Sequence, residues 1–222
     1  MCFSATASFV TAGMTVAVGI VALARTRHWR ETPMAATPLL FALQQSLEGL
    51  IWLALPSAGE GSPLGSLVTS ATFLYLVMAE VLWPIYMPLA VLLIEPQVQR
   101  RGFMLLCLTV GVSVAGYLLW WIVTQPYGAI LQDGHIVYRT SHTPTVSLAL
   151  SYLASTCLPL LLSSHRTMIT LGAVILVGSA TAFAFYWEAF VSAWCFFAAA
   201  GSLVILGHFE WLRRQRLRLA GA

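Results

Sequence analysis

From Met168 to Leu206 the chain carries hardly a charged side chain, over about twice the length one bilayer crossing needs, and five more apolar stretches precede it. About 20 apolar residues in a helix cover the roughly 30 Å of hydrocarbon in a membrane. Residues 5–24, 35–55, 67–94, 103–124 and 145–162 each meet that length. The last stretch has to turn, and Tyr186-Trp187-Glu188 is the expected place, because an aromatic pair and a carboxylate suit the interface. Two further spans follow, 168–186 and 190–210. The expected fold class is all-α: a single transmembrane domain over residues 1–222, built as a polytopic bundle of about seven helices.

Composition agrees with lipid as the solvent. Only 9% of the residues are charged and 59% are hydrophobic, whereas a soluble domain carries about a quarter charged. The third stretch is longer than a membrane is thick and holds Pro84 and Pro88, so a tilt and a kink are expected there. No cleavable leader is expected, since the first apolar stretch lacks a basic flank and a small-residue cleavage site.

Orientation follows from arginine. All eleven basic residues are Arg. With the N-terminus outside, Arg25, Arg27, Arg30, Arg100, Arg101, Arg166, Arg213, Arg214, Arg216 and Arg218 fall on the cytoplasmic side and Arg139 alone outside. Such a bias is a topology signal and not a groove-binding patch, so no nucleic-acid partner is expected. The implied location is the cytoplasmic (inner) membrane, with several passes.

One external loop, Gln125 to His142, has room for structure. Within it, Ala129 to Tyr138 reads as two short strands around Asp133-Gly134, a type I′ hairpin signal between helices 4 and 5 that would cap the outer mouth of the bundle. No internal repeat is visible, which speaks against an inverted-repeat transporter.

Ionisable side chains inside a membrane cost several kcal/mol and by default mark a site. Two carboxylates qualify. Gln44, Gln45, Glu48 and Trp52 share one face of the second span at 100° per residue. Glu80 lies mid-way along the third, on an arc with Thr69, Thr72, Tyr75, Trp83 and Tyr86. A ligand site lined by Gln45, Glu48, Glu80, Trp83 and Cys195 is the reading these positions suggest. The bland alternative is a protonated carboxyl hydrogen-bonding a neighbouring helix.

Cysteine and histidine divide by depth. Cys2 and Cys195 lie in the outer half, where they would either form a disulfide or offer soft metal ligands. Cys107 and Cys157, nearer the cytoplasm, read as reduced core residues. Cys2, Glu48, His142, Glu188 and Cys195 would make a mixed outer set for a transition metal such as zinc. His165 and His208 are the inner candidates, with Glu210 nearby, although a His at a helix C-terminus is also favoured by the dipole alone. No paired HxxxH or CxxC spacing supports either set.

The opening Met1-Cys-Phe-Ser-Ala-Thr-Ala-Ser-Phe9 resembles a family of uncharacterised bacterial seven-helix membrane proteins whose chains begin MCFSA. The similarity continues at Gln45-Ser-Leu-Glu48, at Leu162-Ser-Ser-His-Arg166 and from Trp194-Cys195 through to His208. It implies a fold and adds weight to Cys2, Glu48, His165, Cys195 and His208, without implying a reaction. A seven-span chain of this kind is also similar to the intramembrane zinc amidases that include ceramidases and adiponectin receptors. Those carry a paired His motif on the last helix and an Asp in an earlier span, and this chain has only His208 and no Asp in a span. Retinal is excluded as a cofactor, because no Lys exists to form a Schiff base.

The functional expectation is a binding protein or sensor with a polar intramembrane cavity for a metal ion or small ligand. An intramembrane metal-dependent hydrolase and an ion- or proton-coupled transporter are the alternatives. The bilayer itself is the one partner the composition demands.

Overall fold

Ser4, Ser62 and Thr145 each precede an apolar run, and each side chain accepts from a backbone N–H three residues on, at 3.2, 3.0 and 3.2 Å. These caps satisfy donors that a helix start leaves orphaned. Pro33 and Pro63 sit in first turns, where a missing N–H costs nothing. The computed structural model describes residues 4–59, 61–141, 145–185 and 199–220.

Among them, helices α1 (Ala5–Ala24), α2 (Thr32–Ala54), α3 (Pro63–Leu76), α4 (Trp83–Ile94), α5 (Val98–Thr124), α6 (Val146–Leu161), α7 (Arg166–Phe185) and α8 (Ser202–Ala220) follow in chain order. Helices α3 and α4 are two halves of one rod, joined by the wide π-helical turn Val77–Leu82, so the rods number seven. Five of them are long and apolar enough to cross a membrane. Helix α6 is apolar but shorter, about 24 Å at the helical rise. The turn expected at Tyr186-Trp187-Glu188 lies outside the described residues.

The bundle buries a set of polar side chains within an apolar core and is apolar on its outer surface as well. Ile20, Leu106, Val123 and Val177 are about 60% exposed, while Thr15, Gln44, Gln45, Glu48, Thr156 and Ser179 are buried. An exposed surface of that kind is stable only against lipid, so the chain is a multi-pass membrane protein.

The third rod departs from regular α-helix at the π-helical turn before Pro84, and proline accounts for it. In an α-helix the ring of Pro84 would strike the carbonyl of Glu80, four residues back. Widening the turn moves that carbonyl aside. In the wider register the donor opposite Ala79's carbonyl would be residue 84, which has no N–H, and the Tyr152 hydroxyl of α6 donates to it instead. Pro88 likewise deprives Pro84's carbonyl of its helical donor, and that carbonyl presses against Gly111 of α5: a Cβ there would lie 1.8 Å from it. Glycine also permits close approach between α1 and α2, where a Cβ on Gly49 would meet the ring of Phe9 at 2.8 Å.

Strands β1 (Tyr127–Gln132) and β2 (His135–Thr140) pair antiparallel. Asp133 and Gly134 have φ of 50° and 75°, the left-handed values a type I′ turn requires. The hairpin folds onto α3: Tyr138 stacks on Tyr75 with centroids 4.3 Å apart, and Ile136 is fully buried.

Candidate functional site

Two polar clusters lie within the bundle, one in its interior and one at the end opposite the hairpin. The interior cluster starts on α2. Trp83 of α4 stacks on Phe41 at 4.2 Å, and its indole Nε1 donates to Gln44 Oε1 at 2.8 Å. Tyr86, one turn further along α4, donates to the carbonyl of Pro33, so the two rods run antiparallel. One turn from Gln44 towards the hairpin, Glu48 therefore comes level with the wide turn that carries Glu80. A further turn brings Trp52 level with Tyr75 and Leu76.

The four-residue polar face read from the sequence thus turns inward. Gln44 and Glu48 have no exposed surface and Gln45 has 1%. Thr69, placed on the Glu80 arc, points outward and bonds back to its own helix. Among the described residues, both amide atoms of Gln45 are buried without a hydrogen-bond partner. The same holds for Trp52 Nε1, Thr72 Oγ1 and Glu80 Oε2. An unsatisfied buried group costs about 1–3 kcal/mol, and several in one region of a lipid-embedded bundle form an unusual concentration. Cys2, His142, Glu188 and Cys195, the remaining members of the outer candidate sets, lie outside the described residues.

The second cluster gathers the short connections at the basic end. Glu95, where α4 ends, is 2% exposed. Its carboxylate accepts from Ser163 Oγ at 3.1 Å, Ser164 N at 2.8 Å and Gln97 N at 3.2 Å, and from Ser164 Oγ. Burial alone would push its pKa up. The donors from Ser164, Gln97 and Ser163 outweigh that and hold the carboxyl below its ordinary value. Arg100 closes the same junction by donating to the carbonyl of Leu162 at 2.8 Å.

His165 and His208 do come together, their rings edge to face at 5.2 Å. His165 Nε2 lies 3.1 Å from the carbonyl of Ile94, which can only accept, so this nitrogen carries the proton. His208 Nδ1 lies 2.5 Å from Thr167 Oγ1. Glu210, proposed beside them, instead takes Arg25 at 3.0 Å, Arg214 at 3.3 Å and Arg213 at 3.6 Å. Among the described residues no three His, Cys, Asp or Glu side chains gather as metal ligands. Cys107 and Cys157 are buried free thiols.

Glu95 is not marked by the apolar pattern, because it falls just beyond the third stretch, 67–94. The available signal was a carboxylate at a helix end facing, two spans on, the donor-rich Ser163-Ser164. No curated protein and no solved structure matches the chain. Residues 1–220 match DUF6629, a family of unknown function, and the chain belongs to that family.

Proposed function

We propose that this protein is a membrane-embedded binding protein or sensor whose interior site, between α2 and the α3–α4 rod, takes a small polar ligand presenting both a hydrogen-bond donor and an acceptor. The observation that carries this reading is Gln45: a carboxamide 1% exposed, with neither its oxygen nor its nitrogen partnered among the described residues. A ligand with complementary groups offsets the cost of burying that amide. Trp52, Thr72 and Glu80 add one unpartnered polar atom each in the same half of the bundle. The hairpin over α3 supplies a cover. The arginine bias supports an N-terminus outside and a C-terminus in the cytoplasm of a bacterial inner membrane.

The test is mass spectrometry of small molecules released on denaturing protein purified in mild detergent, compared between wild type and Gln45→Leu. Wild type should release one recurrent compound, and the variant should not. Removing an unsatisfied amide should also raise the variant's stability by about 1–3 kcal/mol, a gain in stability coupled to a loss of binding. Glu48→Gln should weaken retention and leave the fold intact. No compound in wild type, together with a Gln45→Leu variant no more stable than wild type, would sink the proposal.

A second reading, an ion- or proton-coupled transporter, draws on Glu80's place in a proline-broken, π-helical turn level with Glu48. Discontinuous helices and such turns recur at transport and functional sites. Uptake into proteoliposomes that vanishes with Glu80→Gln would favour it. The hydrolase reading needs the outer metal set; elemental analysis that finds zinc in the wild type, lost when Cys2 or His142 is replaced, would favour it.

A further inference from the structure

We propose that the cleft between the end of α1 and the last turns of α8 holds the phosphate of an anionic phospholipid. Ala24, Arg25, Arg27, Arg213, Arg216 and Leu217 line it, around a volume of about 190 Å³. Four guanidinium-bearing residues from opposite ends of the chain converge on one small space. Three are held in place by carboxylates beside the cleft: Arg25 by Glu210 at 3.0 Å, Arg213 by the same carboxylate at 3.6 Å, and Arg216 by Glu31. Arg216 also donates to the carbonyl of Arg25 at 3.4 Å, which ties α8 to the end of α1. Two glutamates against four lining arginines leave the cleft positive, and each guanidinium has five N–H donors, more than these contacts use. A planar fork of donors matches the oxygens of a phosphate, and basic pockets between membrane helices bind lipid headgroups.

The surroundings favour a lipid over a soluble anion. Val16 and Ile20 of α1, 40% and 58% exposed, form an apolar track leading away from Ala24 along the lipid-facing side, and Leu217 at the cleft itself is 57% exposed. Trp29 and Trp211, both largely exposed, mark the headgroup level at which such a phosphate lies. A topology bias explains how many arginines lie at this end but not their convergence. Arg101 and Arg166 lie at the same end and do not line the cleft.

The experiment is native mass spectrometry of the full chain in mild detergent. The probes are phosphatidylglycerol, phosphatidylcholine of matched acyl chains, and inorganic phosphate, each added separately. Wild type should retain phosphatidylglycerol selectively. The double variant Arg27→Gln/Arg213→Gln spares the two closest ion pairs and should bind it about thirtyfold more weakly, while the lipid-free protein melts as wild type does. The charge-matched control Arg101→Gln/Arg166→Gln should bind like wild type. Equal retention of the two lipids, an equal loss in the control, or protection by inorganic phosphate as strong as by the lipid would each overturn the proposal. If the cleft variant melts lower than wild type, the single variant Arg27→Gln carries the test. Its side chain makes neither of the close ion pairs, and undiminished binding by it would overturn the proposal as well.

Discussion

Replacing Gly111 with alanine should destabilise the protein by about 3 kcal/mol or more, at the upper end of what overpacking a close contact costs. The new Cβ would lie 1.8 Å from the carbonyl oxygen of Pro84 and 2.7 Å from its carbon. Both are backbone atoms, so no side-chain rotation relieves the overlap, and α4 and α5 must separate where they cross. Pro88 already denies that carbonyl its helical donor, so moving it into lipid would leave it unpaired. The control is Gly116→Ala on the same helix, where an added Cβ meets nothing within 4 Å. There the better helix propensity should stabilise by up to about 1 kcal/mol. Unfolding titrations in mixed micelles distinguish the two. Equal behaviour of the variants would mean that α4 and α5 do not cross at this pair.

Glu95→Gln should cost about 3 kcal/mol at neutral pH, because hydrogen bonds to a charged group are the strong ones and the amide cannot accept on both sides. Donors from Ser163, Ser164 and Gln97 would face an NH2 group or lose their acceptor. That would loosen the junction of the α4–α5 and α6–α7 connections. The pH dependence follows from the direction of the shift. The folded-state pKa lies below the ordinary glutamate value of 4.5, so the contribution is fully present above that value. It is lost as the pH falls through the lower folded-state value. The difference between wild type and variant should therefore be constant at neutral pH and shrink towards zero in strong acid. A gap that persists unchanged into acid would show that Glu95 contributes by its shape and not by its charge.

Local chemistry alone determined much of this molecule. Apolar runs of membrane length leave the backbone no option but helix, because only internal pairing satisfies N–H and C=O groups in hydrocarbon. Asp133-Gly134 specifies a tight hairpin, since those two residue types tolerate the left-handed region a type I′ turn needs. Pro84 and Pro88 foretold a break in the third rod, and the spacing of Gln44, Gln45 and Glu48 foretold a single buried polar face.

Which partners those groups meet was decided only in three dimensions. Trp83 finds Gln44 39 residues away, Ser163 finds Glu95 at 68, and Arg216 finds Glu31 at 185. The length of α8 was equally hidden. The last span expected from apolarity ends at 210, yet the helix continues to Ala220 and lays Arg213 and Arg216 beside Arg25. Periodicity reports which side of a helix turns away from lipid, because burial is a property of one face. It carries no information about which other face arrives there, since that depends on how the rods pack against one another.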